Sequence, residues 1–339
     1  MGKPLVVMAS DNEYDQIIFD HWTEEGYDPR VLGTSASLAK QVGEVYDDLE
    51  DGEKYAIVAY GAAASDLLKN GGEALQDVCA FVVYYPTEPI GGIPSHGLFH
   101  AHVVDPPSAQ STFSHHLYVE VEPGFAERES GKFDKIAANL AWSRTLGIVR
   151  KGFGIEVDLE KKWEEHLALE FAVRDADATM ETMVSQPYVN HVPTITGGIG
   201  YHDLHRFYRD YFIPSNPPST EMRLISRTIG VDRVVDEMYF SFDHTLEIPW
   251  MLPGVPPTGR RVEVALVGVV CIRGGKLYHE HLYWDQASVL VQVGLLDAKL
   301  GAVGMGQNGV DRLPILGAET ARKVLDEHSV ESNELIPGW

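Results

Sequence analysis

The chain has 339 residues and a formal net charge of −23, from 50 acidic against 27 basic side chains. Such a balance repels phosphate backbones and anionic membrane surfaces, so neither nucleic acid nor a membrane is expected as a partner. Two cysteines, Cys79 and Cys271, sit inside apolar runs and are expected as buried thiols, with no disulfide framework and no zinc-like spacing.

The length allows two domains. Met1-Gly2-Lys3-Pro4 leads straight into a short strand without the features of a signal peptide or a myristoylation motif, and no apolar run approaches membrane-spanning length. A reducing, cytoplasmic setting is the expectation.

Alternating strands and helices fill the first half. Leu5–Met8 reads as a buried strand, Tyr14–Glu25 as a helix with Ile17, Ile18 and Trp22 at helical spacing, and Ser37–Leu49 as a second helix. Tyr55–Ala59 is a strand that turns at Gly61 into a helix reaching Asn70. Val78–Tyr84, Leu98–Val104 and His116–Val121 follow as strands, and Phe133–Lys151 as a long amphipathic helix. This order predicts an α/β layer with a mostly parallel sheet over residues 1–152.

Gly152-Phe153-Gly154 marks the expected boundary. A charged amphipathic helix is expected over 158–184 and a second over 201–212, stopped by Pro214-Ser215-Asn216-Pro217-Pro218. Three or four longer strands follow between Glu221 and Asp285, which makes residues 158–300 an α+β cone with a curved antiparallel sheet. Residues 301–339 form a glycine-rich segment (301–309), expected to be a mobile loop, and a tail with one short helix ending in Trp339, expected to dock.

The segment Gly274 to Gln286 stands out. Read as a strand after a two-glycine turn, it carries His279, His281, Tyr283 and Asp285 on one face. A row of ionisable groups is costly to bury unless paired or used, so the face is either solvent or the wall of a reaction pocket; the pocket is the expectation. A bulge would reverse the facing. His244 falls on an apolar strand face with Val234, Asp236, Met238, Phe240 and Phe242, as a reactive group or a satisfied core histidine. His191 is expected to open a loop at the mouth of the cone. Trp250, Tyr239, Tyr283 and Trp284 supply flat wall, or plain core packing. The histidines and carboxylate match no recognised ligand pattern, no dinucleotide or phosphate-loop fingerprint is present, and neither metal nor cofactor is expected.

In order and spacing, Tyr188-Val189-Asn190-His191-Val192-Pro193, Gly197-Gly198, Phe242-Asp243-His244-Thr245, Gly254-Val255-Pro256-Pro257-Thr258-Gly259, Gly274-Gly275-Lys276 and Trp284-Asp285-Gln286 resemble the SnoaL-like polyketide cyclases of the nuclear-transport-factor-2-like fold, over about residues 160–300. The resemblance implies Asp285 as general acid/base on an enolisable carbon, with an N-cap as its ordinary alternative, and a homodimer through the outer sheet face. Related epoxide hydrolases activate water with an Asp–Arg–Asp set, here Asp232, Arg227 and Asp285. A surface ion pair is the plainer reading. Tyr60-Gly61-Ala62-Ala63-Ala64-Ser65 and the stretch from Tyr118 resemble a dienelactone hydrolase, with Ala63 in the nucleophile's place, Pro123 in the histidine's and Asp105 in the acid's. That half is expected as a disarmed hydrolase. Together the halves resemble fungal two-domain proteins of polyketide pathways. They imply a cofactor-independent cyclase closing a lactone or α-pyrone ring on a small polyketide, with a polyketide synthase as a possible partner. A hydrolase and a non-catalytic binding protein are the alternatives.

Overall fold

A computed structural model describes residues 2–12, 15–33, 36–50, 52–75, 77–109, 111–299 and 312–338. The segment 301–309 and Trp339 lie outside them. The chain divides into two compact units, Met1–Val157 and Asp158–Trp339. Among the described residues no helix is long and apolar enough to cross a membrane.

Unit 1 holds β1 (Leu5–Ala9), α1 (Gln16–Glu24), β2 (Asp28–Val31), α2 (Leu38–Asp47), β3 (Tyr55–Tyr60), α3 (Gly61–Asn70), β4 (Val78–Tyr84), β5 (Leu98–Val103), β6 (His115–Leu117) and α4 (Lys135–Phe153). The sheet has the order β2-β1-β3-β4-β5-β6, and every pair is parallel. β1, β3 and β4 are buried along their whole length, as strands covered on both faces must be. Alternate residues feed two cores. Leu5, Val7, Ile57 and Phe81 meet Val42 of α2 and Leu67 of α3, while Val6, Met8, Val58 and Val82 meet Trp22 of α1 and Leu146 of α4.

Two details depart from expectation. β2 has no strand signal in the sequence, because Asp28-Pro29-Arg30-Val31 is a short edge strand carrying a proline. The strand expected over His116–Val121 ends at Leu117, and Glu120 turns with φ 67°.

Unit 2 holds α5 (Leu159–Leu167), α6 (Ala176–Glu181), β7 (Met183–His191), β8 (Thr196–Ile199), α7 (Tyr201–Phe207), β9 (Glu221–Ile229), β10 (Arg233–Asp243), β11 (Arg261–Arg273), β12 (Lys276–Trp284), α8 (Gln286–Val293) and α9 (Glu319–Leu325). Both α5 and α7 run on into π-helical segments, Ala168–Val173 and Tyr208–Phe212. The helix expected over 158–184 is instead broken at Arg174, which takes φ 62°. The stretch expected as its end is the separate short helix α6 and the first two residues of β7.

The sheet order is β8-β7-β12-β11-β10-β9. It is mixed, because β7 joins β12 in parallel while the other pairs are antiparallel. One glycine is indispensable here. A Cβ on Gly197, whose φ is 126°, would lie 2.2 Å from the Val189 carbonyl across the β7–β8 pair. The inner face carries Val234, Met238, Phe240 and Phe242 of β10 and Val262, Val264, Leu266 and Val270 of β11 against Trp163, Leu204, Phe207 and Phe212.

Candidate active site

The register of β12 decides which side chains enter the cone of unit 2. Cys271 pairs with His279 but Ile272 with Leu277, so Tyr278 is the extra residue of a bulge. Leu277, Glu280, Leu282 and Trp284 therefore point inward and are buried, whereas His279 and His281 are half-buried and Tyr283 and Asp285 exposed on the other side. The four expected pocket residues do share a face, but it is the outer one. The physical reason is that Leu277, Leu282 and Trp284 give the inward face more apolar surface to bury.

Inside, Glu280 meets His166 of α5 and Glu170 of the π-helical segment that follows it. One donor atom from each of the three lies within 4.8 Å of the others, and all three residues are buried. The Thr182 hydroxyl donates to the Thr179 carbonyl (2.6 Å), so it accepts from His166 Nδ1 (2.6 Å), which must carry a proton. Nε2 faces Glu170 Oε1 at 3.0 Å. The Tyr208 hydroxyl also donates to Glu170.

Burial pushes the Glu280 carboxyl well above the usual carboxylate range, and the neighbouring Glu170 adds to the effect. Burial and the same two carboxylates raise the Tyr208 hydroxyl. Burial thus favours the uncharged form of Glu280 beside Glu170, which His166 holds, in an apolar interior: two neighbouring carboxyl groups in unlike surroundings. Of the described residues, these three could also take a cation together.

The surrounding cavity is lined by Trp163, Phe171, Met222, Phe240, Trp250 and Leu282 among others, with about 20 Å³ of free space, room for about one water. Met222 and Phe171 are its partly exposed members, so the interior meets the surface there.

His166, Glu170 and Tyr208 were not legible as site residues. Their one signal is position: His166 and Glu170 follow Leu159 and Trp163 on the apolar stripe of a helix, where ionisable groups are out of place. Glu170 and Tyr208 lie on the two π-helical segments, a geometry frequent at functional sites and invisible in sequence.

The other expected residues are distributed as follows. His191 ends β7 and opens the turn to β8, its carbonyl accepting from the Thr194 and Ile195 N–H groups (3.1 and 2.8 Å); its side chain is fully buried beside Leu282 and ringed by Phe207, Phe212, Trp250 and Trp284. Its Nδ1 donates to the Thr196 carbonyl at 3.2 Å, Nε2 has no hydrogen-bond partner among the described residues, and burial lowers its pKa to about 3. Trp250 lines the cavity and is also part of the buried core.

His244 is fully buried at the far end of β10, ten residues from Val234, which is level with Glu280 through Val270. That is about 30 Å of strand. Its Nδ1 accepts from the Thr258 backbone N–H (3.3 Å), so it latches the Gly254–Gly259 turn, and burial lowers its pKa. Tyr239 lies on the outer face near Glu263, not in the cavity wall. There Arg322 of α9 grips Glu263 with two hydrogen bonds of 2.6 and 2.8 Å, so the tail covers part of the outer sheet.

Asp285 caps α8, accepting from the Ala287 N–H (3.0 Å) and the Ser288 hydroxyl. The Asp–Arg–Asp set is not assembled. Arg227 pairs with Asp236 through two hydrogen bonds of 2.8 Å and reaches Glu160 and Glu164, while Asp232 pairs with Arg233 (2.5 Å).

In unit 1 the strand-to-helix elbow falls at Gly61, with φ 55°, and not at Ala63, which lies inside α3. A Cβ there would lie 2.4 Å from Asp11 Oδ1, which accepts from the Ala62 N–H (3.0 Å). The position has no nucleophile, and the N–H after it, the usual oxyanion donor, is occupied. Asp105 and Pro123 do come together, lining one crevice.

β5, β6 and α4 carry a chain of polar groups, buried except for the half-buried His116. His116 Nδ1 meets His100 Nε2 (2.8 Å), and His102 joins Tyr118 (2.9 Å) and Thr145 (2.9 Å). Burial, then neighbouring histidines, lowers His100 to about 4, and His102 well below its ordinary value. The unfolded chain therefore binds more protons than the folded one below about pH 6.5, so stability present above that value is lost as pH falls toward 4. Melting curves of unit 1 signals at pH 7 and pH 5 are expected to show a drop that His100→Gln reduces. An equal drop in the variant would remove this explanation.

No protein-family model and no curated protein matches the chain. Among solved structures, TsrD from Streptomyces laurentii is similar at 19% identity over 42% of this chain and 100% of that one, with a TM-score of 0.33. A candidate SnoaL-like polyketide cyclase from Jannaschia sp. CCS1 aligns at 20% identity, covering 41% and 94%, with a TM-score of 0.32. A candidate polyketide cyclase from Acidithiobacillus ferrooxidans aligns at 18%, covering 41% and 96%, with a TM-score of 0.33. These likenesses fall on the C-terminal part of the chain.

Proposed function

We propose that unit 2 is a cofactor-independent acid/base enzyme that closes a lactone or α-pyrone ring on a small polyketide. The observation that carries this reading is the buried His166–Glu170–Glu280 group with Tyr208 in an otherwise apolar cone. Glu170, held by His166, takes a proton from a carbon or enol flanked by carbonyls. The enolate oxygen then attacks a thioester carbonyl of the same chain, and neutral Glu280 gives its proton to the departing thiolate. Tyr208, donating to Glu170, fixes that base in place, and the lone pair of His191 Nε2 is an acceptor for a substrate hydroxyl. Holding both ends of one chain together supplies much of the rate, since effective molarity reaches about 10⁵ M in well-oriented cases. A planar substrate exceeds the present cavity, so its entry requires the wall near Phe171 and Met222 to open.

The expected partners, a second copy through the uncovered outer sheet and a synthase supplying the thioester, belong to the same proposal. A hydrolase using Asp285, Asp232 and Arg227 has less support, since those three are engaged separately.

The test is mass spectrometry of products from a linear 1,3,5-tricarbonyl thioester. Loss of the thiol with ring formation, absent in Glu280→Gln and Glu170→Gln and retained in Asp285→Asn, is the expected result. Ring formation lost only in Asp285→Asn would return the role to Asp285. Gain of water would make it a hydrolase, and tight binding without change a scaffold.

A further inference from the structure

We propose that unit 1 keeps a working small-molecule site: a receptor, without hydrolytic chemistry, for an uncharged aromatic ligand bearing hydroxyl groups. The crevice lies beyond the carboxyl ends of β4 and β5, where parallel sheets ordinarily bind ligands. It encloses about 720 Å³, against about 20 Å³ in the cone of unit 2. Small-molecule sites span roughly 300–1,000 Å³.

Its wall is pre-formed. Tyr85 follows β4 with φ 36°, a region that non-glycine residues rarely adopt. It is held there by its N–H on the His102 carbonyl (2.7 Å) and by its hydroxyl on buried Glu127 (2.5 Å). The next turn is pinned by Ser65, whose hydroxyl accepts from the Glu88 N–H at 3.0 Å.

The lining chooses the ligand. Ile90, Phe113 and Pro123 offer apolar surface for a flat ring; Asp105 accepts from a ligand hydroxyl, and so does the oxygen of Glu88 that is not paired with Lys69 (Nζ to Oε2, 3.2 Å). Among the described residues no Lys, Arg or His lines the crevice. Asp105 disfavours an anion, and the N-terminus of α3, where an anion would ordinarily settle, is filled by Asp11.

Calorimetric titration of the full chain tests this with 2,7-dihydroxynaphthalene, neutral at pH 7, and 2-naphthoate, an anion of similar size. The diol is expected to bind at least tenfold more tightly. Ile90→Trp, which fills the crevice, should abolish diol binding, and Asp105→Asn should narrow the gap between the two probes. Glu280→Gln should leave diol binding unchanged, which separates this site from the interior of unit 2. Melting curves confirm that the variants fold. Equal binding of both probes, no binding of either, or diol binding that survives Ile90→Trp would overturn the proposal.

Discussion

Glu280→Gln is expected to raise the thermal stability of unit 2 at neutral and alkaline pH while abolishing its turnover. Glu280 is 4% exposed, and burial with Glu170 alongside holds its folded pKa well above the ordinary 4.5. The native state thus keeps a proton that the unfolded chain releases above about pH 4.5. Stability that is full below that value is lost as pH rises toward the folded pKa, at about 1.4 kcal/mol per pH unit across the window. Glutamine has nearly the same shape and no proton to lose. The gap in melting temperature between variant and parent should therefore widen from pH 5 to pH 8, reaching several degrees for a unit of this size. A variant less stable by the same amount at both pH values would show that Glu280 is a structural acceptor and not a poised acid. Gain in stability with loss of activity is the ordinary mark of a strained functional group.

The second large effect concerns Arg227 and Asp236. Asp236 is 1% exposed and accepts from Arg227 twice and from Trp163 Nε1 at 2.7 Å, and Arg227 itself ties β9 to α5 through Glu160 and Glu164. Arg227→Met leaves a carboxylate buried with one donor, a change that costs about 3–5 kcal/mol. Chemical denaturation should show that loss, and Arg227→Met combined with Asp236→Leu should recover most of it. If the double variant is as unstable as the single one, the pair matters for more than its charge. In this arrangement Arg227 makes four hydrogen bonds, two to Asp236 and one each to Glu160 and Glu164.

Much of the architecture was legible in the chain. Unbroken apolar runs such as Tyr55–Ala59 and Val78–Tyr84 belong to strands covered on both faces, and Gly61–Asn70 and the strands between Glu221 and Asp285 emerge where spacing put them. The site was legible only in part. Trp250 lines the interior cavity and His191 is buried against it, whereas the ionisable row of β12 faces outward. One bulged residue, Tyr278, separates the inward Leu277 from the inward Glu280, and side-chain alternation cannot report an inserted residue. Likewise the elbow lies at Gly61 and not Ala63, since a motif match tolerates a two-residue shift that a backbone dihedral does not.

By itself the sequence determined what local periodicity encodes: a parallel α/β half, a helix-and-sheet half, the absence of a nucleophile at the elbow, and a charge that disfavours anionic partners. Only the tertiary structure decided which charges meet. His166 and Glu170 are close in the chain, but Tyr208 and Glu280 join them from distant elements, through π-helical turns and a strand register that no local signal carries. Burial raises Glu280 because of what surrounds it, and that surrounding is assembled only when the chain folds.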